Sequence, residues 1–181
     1  MNSLTLPFGS FNMKRKYWVL LITCLCVIGL DQWTKSWVQR TFLLYQKVEV
    51  IPGLFNLTHV RNTGGAFGIF GGDRGGFGSL LFVVVSLLAI GIILFLFFRA
   101  KEDEKSLTLS LSLVLGGAIG NLIDRIRYGE VIDFLDFHVS SAHWPAFNIA
   151  DTVICIGIGL MALGLWTRDR KEMAQSKKST R

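Results

Sequence analysis

Four runs of about twenty apolar residues, at about 17–38, 77–98, 106–126 and 146–167, constrain this chain more than any other feature. A helix of that length rises about 30 Å, the thickness of a bilayer's hydrocarbon core. In hydrocarbon every backbone polar group needs a partner within its own segment, so each run is expected to be a helix. A 51% hydrophobic fraction over 181 residues, with a mean hydropathy of +0.46, excludes an ordinary soluble domain. The expected fold is an all-α membrane protein, a four-transmembrane-helix bundle forming one domain over 17–167. Residues 1–16 are expected as a cytoplasmic N-terminal segment and 168–181 as a basic cytoplasmic tail.

Charge sets the expected orientation. The net charge is +6, and it is unevenly spread: Lys14, Arg15 and Lys16 precede the first run, while 168–181 holds six basic against two acidic residues. The positive-inside tendency puts both ends in the cytoplasm, as four spans require. Basic clusters beside apolar runs read as topology signals and contacts to membrane lipids, so no nucleic-acid partner is expected. Cys24, Cys26 and Cys155 fall inside apolar runs without zinc-ligand spacing and read as packing residues. A cleavable leader is the rival reading of the first run. Leu21-Ile22-Thr23-Cys24 loosely resembles a lipoprotein cleavage box, but threonine is large for the position before the cysteine and apolar helix continues beyond it.

Between the first two runs, Val48–Ile51 and Leu54–Val60 are rich in β-branched and aromatic residues around Pro52-Gly53, which predicts a small extracytoplasmic β element. Residues 61–68, RNTGGAFG, follow. Gly64 and Gly65 permit close backbone approach, such as that of a substrate strand, and Asn62 can donate and accept; by composition alone the segment is a turn into the second helix. Arg125 to Pro145 is expected as a second outer loop. Gly116 and Gly120 have the spacing that lets another helix approach closely.

This topology brings Asp31, Asn62, Asn121, Asp124, Asp133, Asn148 and Asp151 to the outer end of the bundle. Asn121 and Asp124 are three apart, as are Asn148 and Asp151, so each pair shares a helix face. Asp31 and Lys35 are four apart: either an ion pair at a helix end, beside an interfacial belt of Trp33 and Trp37, or support for a neighbouring site. Ionisable groups at a membrane boundary point to function. Two close carboxylates cannot both ionise cheaply; one serves as base toward water while the other, protonated, donates to a carbonyl, as in aspartic proteases. Asp133 and Asp151 are the candidates, with Asp136 the rival to Asp133. Arg125 could bind a substrate carbonyl or a lipid phosphate.

Other chemistries are less well supplied. His59, His138 and His143 show no H-E-x-x-H pattern, so no metal site is expected. Neither a G-x-S-x-G motif nor a serine–lysine pair is conspicuous. A small transporter or proton relay would also use intramembrane aspartates, but here they cluster at one end instead of running through the bilayer.

Five ordered motifs carry a resemblance over about 17–166: Asp31-Gln32-x-x-Lys35; Arg61-Asn62-x-Gly64-x-Ala66-Phe67; Gly116-Gly117-Ala118-x-Gly120-Asn121-Leu122-x-Asp124-Arg125; Val131-x-Asp133-Phe134; and Pro145-Ala146-Phe147-Asn148-x-Ala150-Asp151. The chain resembles the bacterial lipoprotein signal peptidases, or signal peptidase II. The resemblance implies an aspartic endopeptidase of the bacterial cytoplasmic (inner) membrane; a monomer is expected. It would remove the signal peptide of a prolipoprotein just before a cysteine that carries a diacylglyceryl group. It implies Asp133 and Asp151 as the catalytic dyad, with Asn62, Gly65, Asn121, Arg125 and Asn148 near the substrate. Asp31, Lys35 and Asp124 would support the site, and no cofactor or metal is implied. The glycines at 71–72 and 75–76 lie outside the resemblance and are expected to lengthen an outer loop.

Overall fold

A computed structural model describes residues 14–64 and 77–179. The first dozen residues, Gly65, Ala66, Phe67 and the later glycine pairs lie outside the described residues. Helices α1 (Arg15–Thr41), α2 (Phe77–Arg99), α3 (Lys105–Tyr128) and α4 (Ile149–Ser179) correspond to the four apolar runs. All four are long and apolar enough to cross a membrane. The chain is a multi-pass membrane protein. Between the helices lie β1 (Lys47–Ile51), β2 (Phe55–Asn62), β3 (Val131–Val139) and β4 (Ala142–His143).

Helix α3 packs against all three other helices and hides more of its surface than any of them. Small residues make that possible. A methyl at Gly117 would lie 2.6 Å from the Ala150 carbonyl oxygen, and one at Gly120 2.6 Å from Asp31 Oδ2, so only glycine admits α4 and α1 at these levels. At one end of the bundle Ile93, Phe97, Leu111 and Leu115 form an apolar core; at the other, Val38 of α1 packs beneath Ile132 and Phe134 of β3.

The four strands form one antiparallel sheet in the order β1-β2-β3-β4, at the end where α1 and α3 finish and α4 begins. The turn at Pro52-Gly53 joins β1 to β2 as the sequence predicts; Gly53 has a φ of 72°, which glycine adopts without strain. The stretch expected as a loop, 125–145, instead completes α3 and supplies two strands. Gly129, left-handed with a φ of 75°, caps α3 by donating its N–H to the Arg125 carbonyl, and β3 starts two residues later.

Helix α4 departs from expectation at both ends. It begins at Ile149 and not near Ala146, because Phe147 is held extended, exchanging backbone bonds with Leu135 at 2.8 and 3.1 Å. It runs on to Ser179, past the apolar stretch that ends near Arg168, since the basic tail is rich in helix formers and lacks proline and glycine.

Candidate active site

Lys35 is the cation from which the site is built. Its side chain is fully buried, and its Nζ lies 2.9 Å from Asp31 Oδ2, 2.8 Å from Asp124 Oδ2 and 2.8 Å from Asn121 Oδ1. One ammonium between two carboxylates leaves a net negative charge, stable only where further donors reach the spare oxygens. They do. Gln32 Nε2 donates to Asp124 Oδ1 and Asp31 Oδ2, the Ala150 N–H to Asp31 Oδ1, and the Ile132 N–H to Asp124 Oδ2. The helix-end ion pair is thus a buried clamp that ties α1 to α3, to the start of β3 and to the first turn of α4. Gln32, present in the first motif but given no role there, is part of it.

A second layer rests on this clamp. Asn121 Oδ1 accepts from Lys35, which turns its Nδ2 toward Asp151 Oδ1 at 2.7 Å. Asn148 occupies the N-cap of α4. Its Oδ1 accepts from the Asp151 N–H at 3.0 Å, and its own N–H donates to Asp151 Oδ2 at 3.2 Å, a reciprocal capping box that fixes Asp151 in the first helical turn. The Asn148 Nδ2 donates to Asp133 Oδ1 at 2.8 Å and lies 3.1 Å from Asn121 Oδ1. Asn62, the last residue of β2, donates to Asp133 Oδ2 at 2.9 Å, and its Oδ1 accepts from the Gly64 N–H.

Asp133 is 2% exposed on β3. Burial pushes its carboxyl up to about 7, the hydrogen bond from Asn62 opposing the rise and the charge of Asp151 adding to it. Asp136, three residues on, points to the face opposite Asp133 because alternate residues of a strand face opposite sides. It is held by His143 Nδ1 at 2.8 Å, Asn56 Nδ2 at 3.1 Å and Lys47 Nζ at 3.3 Å. Burial alone would raise the Asp136 carboxyl, but these three partners hold it below the ordinary carboxylate value.

The structure therefore brings together Asp31, Lys35, Asn62, Asn121, Asp124, Asp133, Asn148 and Asp151. Arg125 stands beside them on α3, its guanidinium 5.9 Å from the Phe82 ring and 3.5 Å from Ser86 Oγ of α2. Gly65 falls outside the described residues. An apolar groove of about 400 Å³ opens beside Asp151, walled by Trp144, Phe147, Cys155 and Ile156. His138 and His143 stack at 4.8 Å in the sheet, while His59 is bonded to the Phe42 carbonyl under the end of α1. Among the described residues no three histidine, cysteine, aspartate or glutamate side chains converge as metal ligands.

The family model described as signal peptidase (SPase) II matches residues 23–167. A lipoprotein signal peptidase of Syntrophus aciditrophicus (strain SB) is 44% identical over 160 residues, covering 88% of this chain and 99% of its own. One of Maridesulfovibrio salexigens is 46% identical over 151 residues, covering 83% and 97%. A solved bacterial membrane enzyme, determined by the in meso method at 1.9 Å resolution, superposes with a TM-score of 0.72 at 31% identity. That match covers 81% of this chain and 91% of the other.

Proposed function

The chain belongs to the signal peptidase II family and is a peptidase, and from that premise we propose that it cleaves diacylglyceryl-modified prolipoproteins through an aspartate dyad of Asp133 and Asp151. The observation that carries this reading is that one residue, Asn148, donates to both carboxyls, at 2.8 and 3.2 Å, tying them into one unit. Asp133, raised to about 7, holds the proton of the resting pair. Asp151 takes a proton from water as the water oxygen attacks the scissile carbonyl carbon, while Asp133 gives its proton to the carbonyl oxygen. Collapse of the tetrahedral intermediate breaks the C–N bond. The proton on Asp151 passes to the leaving amine and the former carbonyl proton returns to Asp133, so the dyad is regenerated.

Asn62, Asn121 and Asn148 orient the carboxyls, and Arg125 is the donor for a substrate carbonyl or headgroup oxygen. The apolar groove beside Asp151 suits the apolar residues of a signal peptide. Cleavage falls just before the lipid-bearing cysteine, and the site faces the outer side of the inner membrane. There a substrate can enter sideways without drawing its acyl chains into water. The active unit is a monomer.

Purified full-length protein in detergent should cleave a diacylglyceryl-modified precursor with chelator present. Asp133→Asn and Asp151→Asn should each still bind that precursor without cleaving it. Loss of cleavage in chelator, restored by zinc, would instead favour metal chemistry.

A further inference from the structure

The end of the bundle remote from the aspartates carries a second built feature. A groove of about 230 Å³ lies between the first turns of α1 and α3, with Arg15, Lys16 and Lys105 on its walls against a single carboxylate, Glu102. Lys14 lies 3.8 Å from Glu102 and draws off part of that negative charge. Lys16 is 8% exposed and fixed, its Nζ donating at 2.8 Å to the Ala100 carbonyl that follows α2. Thr108 also lines the groove. It is 3% exposed, and its Oγ1 has no hydrogen-bond partner among the described residues, an unusual state for a buried hydroxyl. The remaining walls are apolar, from Val19 and Leu109.

We propose that this groove holds the phosphate headgroup of an anionic phospholipid. Excess positive charge, a hydroxyl without a partner and the N-terminal end of a 24-residue helix favour a phosphate oxygen. The apolar walls favour a phosphate that brings acyl chains with it, and the groove lies where two spans begin, at headgroup depth. A free anion would use the cations and leave Val19 and Leu109 unmatched. This assignment depends on the helices spanning a bilayer and is independent of the peptidase reading, because neither Arg15 nor Lys105 belongs to the aspartate site.

Native mass spectrometry of the purified full chain tests it with three probes: dioleoylphosphatidylglycerol, dioleoylphosphatidylcholine and inorganic phosphate. Phosphatidylglycerol should be retained about tenfold better than phosphatidylcholine, and millimolar inorganic phosphate should not displace it. Arg15→Gln with Lys105→Gln should bring its retention down to that of phosphatidylcholine, with the thermal midpoint and precursor cleavage unchanged. Should that pair fail to fold, Thr108→Val keeps both cations and should still lose retention severalfold. Equal retention of the two lipids, or retention that neither variant lowers, overturns the proposal. Displacement by inorganic phosphate alone would reassign the groove to a free anion and overturn the lipid assignment.

Discussion

Asp133 and Asp136 lie three positions apart on one strand, and the pleat of that strand decides between them. One side chain meets Asn62 and Asn148; the other is fastened to His143, Asn56 and Lys47 on the opposite face. Asp136→Asn should therefore leave cleavage within a fewfold of wild type. Asp133→Asn or Asp151→Asn should each lower kcat by about 10²- to 10⁴-fold, and the double variant should be scarcely worse than either, because the pair acts as a unit. The pH profile carries a second expectation. With Asp133 raised to about 7, and required in its protonated form by the proposed mechanism, kcat/KM should fall as pH rises above about 7. The same group makes stability depend on pH. Between its ordinary value of 3.8 and about 7 the folded protein holds a proton that the unfolded chain has released, so stability falls as pH rises through that window and levels off beyond it. In Asp133→Asn that slope disappears, and thermal midpoints measured from pH 4 to pH 8 should show wild type losing ground to the variant as pH rises.

At the scale of elements, the joint between α1, α3, β3 and α4 is electrostatic, and Lys35 is its centre. Lys35→Ala would leave Asp31 and Asp124 buried with no cation, which costs on the order of 3–5 kcal/mol. A fall in thermal midpoint by several degrees is expected, with partial recovery when Asp31→Asn and Asp124→Asn are added. No recovery would mean that Lys35 matters for packing and not for charge. The four helices and the β1–β2 hairpin were legible because apolar run length and Pro52-Gly53 are local signals. Strand β3 was not. Residues 131–139 carry apolar side chains at both odd and even positions, with aspartates at 133 and 136, so the period-two alternation that marks a half-buried strand is absent. The start of α4 was misjudged for a related reason: Asn148 and Asp151 read as neighbours on a helix face, whereas at that spacing they also form a cap and place the first helical residue at 149. The convergence of the site's polar residues at one end followed from counting spans. The partnership of Gln32 with two carboxylates did not, since it depends on how closely α1 and α3 approach.

For the whole molecule, the orientation proposed from the basic ends has a direct check. A membrane-impermeant maleimide applied to intact cells should label an engineered Glu49→Cys, which lies on an exposed strand, and should not label a cysteine placed in the basic tail. Labelling at position 49 only after lysis would invert the topology.

The capping box at Asn148 bears on when such an enzyme can act. The residue that orients Asp151 also bonds Asp133, and it can do so only after the chain has folded back from β3 into the last of the four helices. Without α4 in place, Asp133 lacks its bond from Asn148 and Asp151 lacks its cap. On the proposed dyad mechanism, a chain that has not yet inserted α4 has no proteolytic potential. In that mechanism the order of synthesis restrains the peptidase while it is being made, and insertion of α4 is its activation step.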